Sequence, residues 1–221
     1  MCGRYASPSE PEIEKVWNAK PRSSAEKFTG RFNAAPTLML PVIRGADREI
    51  TLMRWGLIPA WSKDGTLKTV LNNARAETIS EKPSFRTPFK QRRCVVPMLG
   101  FYEWQQTPSG KLPYYISGQN VAQIAVAGIW ENWPGTSEKQ AVDSFSVITT
   151  EPNALMKKIH DRMPVILDME EIEQWLNPDN TDKNELQKLL RPCNPDQLQA
   201  WQVSPRVNST RNESVELTEP I

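Results

Sequence analysis

Between residues 94 and 150 the chain passes through five short apolar segments in succession: "CVVPML", "FYEWQQ", "PYYIS", "QIAVAGIWEN" and "SFSVITT". Each is rich in β-branched or aromatic side chains, and each ends at glycine, proline or a polar turn. A run that short between two breaks suits a strand better than a helix. "TPSGK", between the second and third, has the chemistry of a hairpin loop. Upstream, "TLMLPVIRG" and "REITLMRWG" read as a strand pair about a turn, and "LQAWQVS" is a late strand. The 19 prolines and 10 glycines are spread along the whole chain. That distribution fits many short elements joined by firm turns.

Helices are expected to be short. "SPSEPEIEKVWNAK" is amphipathic, with Ser7 or Ser9 as its cap and acids in its first turn. "ARAETISEKPSFRTPFKQRR" is polar with two breakers and predicts two short helical turns. "EPNALMKKI" predicts a helix with Pro152 near its first turn. "MEEIEQWLN" and "KNELQKLLR" are helical by pattern. No repeat, low-complexity block or linker interrupts the 221 residues. One mixed α/β domain spanning 1–221, rich in strands, is the economical organisation.

Composition removes several classes of function. The 27 Lys and Arg against 26 Asp and Glu leave a net charge of +1. A dispersed polybasic coat for nucleic acid is thereby excluded, but a local basic cleft is not. Cys2, Cys94 and Cys193 are odd in number and lack CxxC spacing, so neither a disulfide framework nor a zinc site is expected. His160 is the single histidine, which speaks against a His-rich metal site. No apolar run approaches a membrane span, so a soluble protein of the cytoplasm is expected.

Four polar clusters stand in otherwise apolar surroundings: "CGR" at 2–4, "NNAR" at 72–75, "FYEW" at 101–104 and "IHDRMP" at 159–164. Only a fold could assemble them. If the initiator methionine is removed, Cys2 carries an amine and a thiol on adjacent carbons. Their ordinary pKa values, about 8 and about 8.5, leave a reactive fraction of each at neutral pH. An aldehyde would condense with such a pair to an imine, which the thiol closes to a five-membered thiazolidine. An acyl group would instead be attacked by the thiol. By its position alone, Cys2 reads first as a small apolar filler at a tucked-in terminus.

Glu103 lies between Tyr102 and Trp104 in an expected strand. Alternation leaves open whether it points to the apolar face, where its pKa would rise, or to solvent. His160 is flanked by Asp161, which could fix its tautomer. Asn73 reads as a turn former or a substrate ligand, and Arg75 as a surface ion pair or a phosphate clamp. Trp55 is expected in the core. Trp61 follows a proline turn and could present its ring to an unstacked base. Arg31, Asn33 and Pro36 in "RFNAAP" could line a groove.

In this order, "MCGR", "RFNAAP", "WGLIPAW", "NNARAET", "GFYEW" and "IHDRMP" resemble the SRAP, or SOS-response-associated peptidase, family, and the match runs on to "WQVSPRVNSTRNES". The resemblance implies an α+β fold with a mixed or antiparallel barrel-like sheet and flanking short helices. It implies covalent capture of abasic sites in single-stranded DNA, possible lyase or self-processing activity, no cofactor and no metal. Cys2 would be the nucleophile, Asn73 the active-site amide, and Glu103 and His160 the catalytic pair. Arg4, Arg75, Arg162 and Arg86 would hold the DNA backbone, Asn33 would line the groove, and Trp61 and Pro36 would stack on or wedge beside bases. Where the family often has a second aromatic after Trp61, this chain has Ser62. Partners would be single strands with abasic sites and junctions with duplex, engaged by a monomer that follows DNA to the nucleoid. Two other readings stay open: a thiol peptidase acting on its own Met1–Cys2 bond, and a non-covalent binder of single-stranded or modified DNA.

Overall fold

The computed structural model describes residues 2–21 and 27–221. The strands are β1 (Tyr5–Ser7), β2 (Lys20–Pro21), β3 (Arg31–Ala34), β4 (Met39–Arg44), β5 (Glu49–Trp55), β6 (Asn73–Arg75), β7 (Arg93–Met98), β8 (Gly100–Thr107), β9 (Gly110–Gly118), β10 (Ile124–Trp133), β11 (Val142–Thr150), β12 (Met163–Pro164), β13 (Ile166–Leu167) and β14 (Leu198–Gln202). The helices are α1 (Glu10–Trp17), α2 (Arg86–Gln91), α3 (Met169–Leu176) and α4 (Lys183–Lys188).

Five strands close on themselves. β11 pairs with β10, β10 with β7, β7 with β4 and β4 with β5, all antiparallel, and a parallel contact between β5 and β11 completes the ring. The barrel-like sheet that the resemblance implies is therefore a closed mixed barrel. Its strands are buried on both faces, which is why they read as continuous apolar runs. Along β10, Ile124 and Val126 point into the barrel with Trp55, Phe145 and Met98. Ala125, Ala127 and Ile129 point outward, under Ile13 and Trp17 of α1 and Trp175 of α3. The period of two sorts each strand between these two cores.

A second sheet, in the order β14-β9-β8-β1-β3, is antiparallel throughout. Where β8 begins beside β9, a Cβ on Gly100 would come within 2.5 Å of the Ile116 carbonyl oxygen. Only glycine lets the two strands approach this closely.

Of the two candidate caps of α1, Ser9 is the one used, and its backbone N–H donates to the Glu12 carboxylate at 2.7 Å. The hairpin at 107–110 forms as expected, with Thr107 opposite Gly110. The helix expected from "EPNALMKKI" does not form. Its residues make a single 3-10 turn, Met156–Lys158. Asn153 caps that turn: its Oδ1 accepts from the Met156 N–H at 3.0 Å while its Nδ2 donates to the Cys193 carbonyl at 3.1 Å. The same side chain ties the segment to the body. Among the described residues no helix is long and apolar enough to cross a membrane.

Candidate active site and nucleic-acid face

The four polar clusters meet at the seam between the barrel and the second sheet. The Tyr102 N–H donates to the Arg4 carbonyl at 2.9 Å, which lays the start of the chain along β8 and brings Cys2 to Glu103. β6 enters from the barrel side by parallel pairing with β11, with Asn73 opposite Val147 and Arg75 opposite Thr149. His160 follows the 3-10 turn, where its N–H donates to the Met156 carbonyl at 2.8 Å.

Glu103 shares the inward face of β8 with Phe101, two residues before it, and is 3% exposed. This settles the choice that alternation left open. Burial raises its carboxyl above the usual glutamate range, and the nearby His160 works against that rise. His160 Nε2 stands 3.7 Å from Glu103 Oε2. His160 Nδ1 accepts the Arg162 backbone N–H at 3.0 Å. That bond leaves the proton of the neutral ring on Nε2, facing Glu103. Asp161 lies 3.0 Å from the same Nδ1, but its side chain is 89% exposed. In the neutral ring two acceptors would then face each other, so the backbone N–H, not Asp161 as the sequence suggested, fixes the tautomer. Asp161 can pair only with the protonated ring.

Cys2 is fully buried. Burial, reinforced by the Glu103 charge, pushes its thiol far above the ordinary range, so the resting sulfur is a neutral thiol. The Asn73 Nδ2 donates to the Cys2 carbonyl at 2.7 Å. Asn73 Oδ1 and Thr149 Oγ1 are buried oxygens with no hydrogen-bond partner among the described residues. Thr149 was not singled out from the sequence, where "SVITT" reads only as strand. Its position beside Arg75 in the β6–β11 pairing is the signal that exposes it. Among the described residues no cluster of His, Cys, Asp and Glu suits a metal ion.

The expected DNA contacts divide. Arg75 and Arg86 are exposed, Trp61 is 61% exposed and Pro36 half-buried. Arg75 lies on β6 beside the cluster, whereas Arg86 stands on α2, which packs against β7 and β10. Arg162 makes a two-pronged ion pair with Glu77, at 2.6 and 2.9 Å, and also donates to the Thr149 carbonyl at 2.7 Å. The pair pulls the Glu77 carboxyl below its usual range. Arg4 Nη1 donates to Asn33 Oδ1 at 2.7 Å and to the Val207 carbonyl at 2.8 Å. Asn33 is 2% exposed. Its amide is fully engaged inside the protein, so in this conformation it shapes the loop and does not line an open groove. Ser62 is buried and leaves Trp61 without an aromatic neighbour at that position.

Known proteins resemble this chain in sequence and in fold. A sequence profile of the family described as SOS response associated peptidase (SRAP) matches residues 1–210. The chain is 44% identical over 223 residues to "Abasic site processing protein YoqW" of Bacillus subtilis, covering 99% of each. It is 30% identical over 262 residues to "Abasic site processing protein HMCES" of Xenopus tropicalis, covering 98% of this chain and 77% of that one. A crystal structure of a protein from Bacteroides thetaiotaomicron superposes with a TM-score of 0.89 at 29% identity, covering all of both chains.

Proposed function

The chain belongs to the SOS response associated peptidase family, and from that premise we propose that it captures abasic sites in single-stranded DNA as a covalent thiazolidine on Cys2. The observation that carries this reading is the convergence of Cys2, Asn73, Glu103 and His160 from four distant segments onto one seam.

The chemistry starts with removal of Met1, which lies outside the described residues. The freed α-amine adds to the C1′ aldehyde of the ring-opened sugar. The carbinolamine loses water to give an imine, and the Cys2 sulfur adds to the imine carbon. Aldehyde and aminothiol thus become thiazolidine and one water. Each addition moves a proton, and Glu103, whose carboxyl burial raises above the usual glutamate range, can hold or release one. His160, carrying its proton on Nε2, serves as the acid for the sugar oxygen when the ring opens. Asn73 fixes the Cys2 carbonyl without titrating. The bare oxygens of Asn73 and Thr149 suit hydroxyl or amine donors of the opened sugar and the freed terminus.

The test is a denaturing gel with single-stranded oligonucleotides that differ only in one abasic site. A shifted band that survives denaturation and needs the abasic site is expected. Binding without such a band would identify a non-covalent module, and release of fragments from a peptide substrate would identify a peptidase.

Phosphate contacts fall to Arg75 and, after exchange of its partner, to Arg162. Glu77 competes with DNA for the Arg162 fork. Glu77→Gln should therefore tighten single-strand binding regardless of sequence, and steepen the log–log salt slope by about 0.7, one contact's worth. Fluorescence anisotropy across a salt series reads both quantities. Unchanged or weaker binding would remove Arg162 from the phosphate path.

A further inference from the structure

The segment 203–213 folds back over the start of the chain, and two side chains clasp it. Asn33 Nδ2 donates to the carbonyls of Ser209 at 3.0 Å, Asn212 at 2.8 Å and Val207 at 3.3 Å. On its other side, Asn33 Oδ1 accepts from Arg4 Nη1, which also donates to the Val207 carbonyl. The guanidinium of Arg4 lies 5.9 Å from the centre of the Trp104 ring, and the Trp104 indole donates to Asn208 Oδ1 at 2.8 Å. Glu213 accepts from the Phe32 N–H and pairs with Arg31 at 3.8 Å. Arg4 is two residues from Cys2, and Trp104 is next to Glu103.

We infer that Asn33 is a positioning residue for the reaction at Cys2, acting through Arg4. This rests on the function proposed above. The Arg4 carbonyl already accepts from Tyr102, so the main chain sets where β1 runs. The guanidinium sets how that start is held against β8 and the folded-back segment. An amide is suited to the task because one side chain offers an acceptor to the arginine and two N–H donors shared among three carbonyls. Without the Oδ1 acceptor, Nη1 keeps only the Val207 carbonyl, and the Cys2 segment can shift against Glu103 and Asn73. Displacements of this order cost rate more than affinity.

Two substitutions separate positioning from general support. Asn33→Ala loses both the acceptor for Arg4 and the donors to the segment. Asn33→Asp keeps the acceptor and loses the donors. Each is assayed for the crosslinking rate at saturating abasic single-stranded DNA, for the concentration at half-saturation, and for thermal unfolding. Asn33→Ala is expected to react about tenfold more slowly at saturation, the loss of roughly one hydrogen bond to a charged group. Asn33→Asp is expected to melt lower than the parent yet react within about threefold of it. In an Arg4→Ala background, Asn33→Ala should slow the reaction no further, because residues acting as a unit are not additive. An Asn33→Asp rate as low as that of Asn33→Ala, or additive losses in the double variant, would overturn the inference. If the parent forms no denaturation-resistant adduct, the proposed function fails, and this inference with it.

Discussion

Substitution of Cys2 by serine is expected to abolish the adduct that survives denaturation while leaving non-covalent binding of single-stranded DNA close to that of the parent. Serine keeps the backbone carbonyl that accepts from Asn73, so the local scaffold is retained. It also keeps the α-amine, so an imine can still form and can be trapped by borohydride reduction. What is lost is the sulfur that closes the ring, and an unclosed imine hydrolyses. Durable yield should therefore fall to a trace, while the reducible adduct persists. The comparison is one gel with and without reductant. Equal durability in the serine variant would rule out the ring mechanism.

The second large effect is on rate. Glu103→Gln and His160→Ala should each slow crosslink formation or reversal on the order of a hundredfold or more, with little change in DNA affinity. Equal losses in rate and affinity would reassign both residues to positioning. Glu103→Gln carries a further signature in stability. Burial raises its carboxyl in the folded state, so the folded protein binds more protons than the unfolded chain between the ordinary glutamate value and the raised one. Stability therefore falls as pH rises through that window. Removing the charge should make the variant melt higher than the parent above the window and alike below it. A variant that melts lower at about pH 8 would show that the ionised carboxylate supports the fold instead.

Much of the barrel could be read from local pattern because its strands are apolar on both faces. "AVAGI" and "CVVPM" show no polar alternation, which marks strands covered on two sides. The closure between β5 and β11 could not be read, since a parallel contact between strands so far apart leaves no local trace. At the site, residue types were informative and geometry was not. Glu103 could be assigned a face only once the pairing of β8 with β1 was known. Asn33 reads from its motif as a groove lining, and Arg4, by resemblance, as a contact to the DNA backbone. Their hydrogen bonds run to carbonyls from Val207 onward, and backbone acceptors carry no sequence signature. The helix expected at 151–159 shrinks to one capped turn, and the bond that ties its Asn153 to the Cys193 carbonyl spans 40 positions and leaves no local trace.

The bond from Arg4 to the Val207 carbonyl spans 203 positions of sequence. It cannot close while the chain is being made until residue 207 has left the ribosome. At roughly 5–20 residues per second, the start of the chain waits on the order of 10–40 s without its clasp. Cys2 is thus translated early, and the clasp on Arg4 closes late. During that interval a methionine-removing enzyme can reach Met1 before folding holds Cys2 in the seam. A methionine-removing enzyme acting in that interval would put the two events that the proposed chemistry requires in order, processing first and reactivity second.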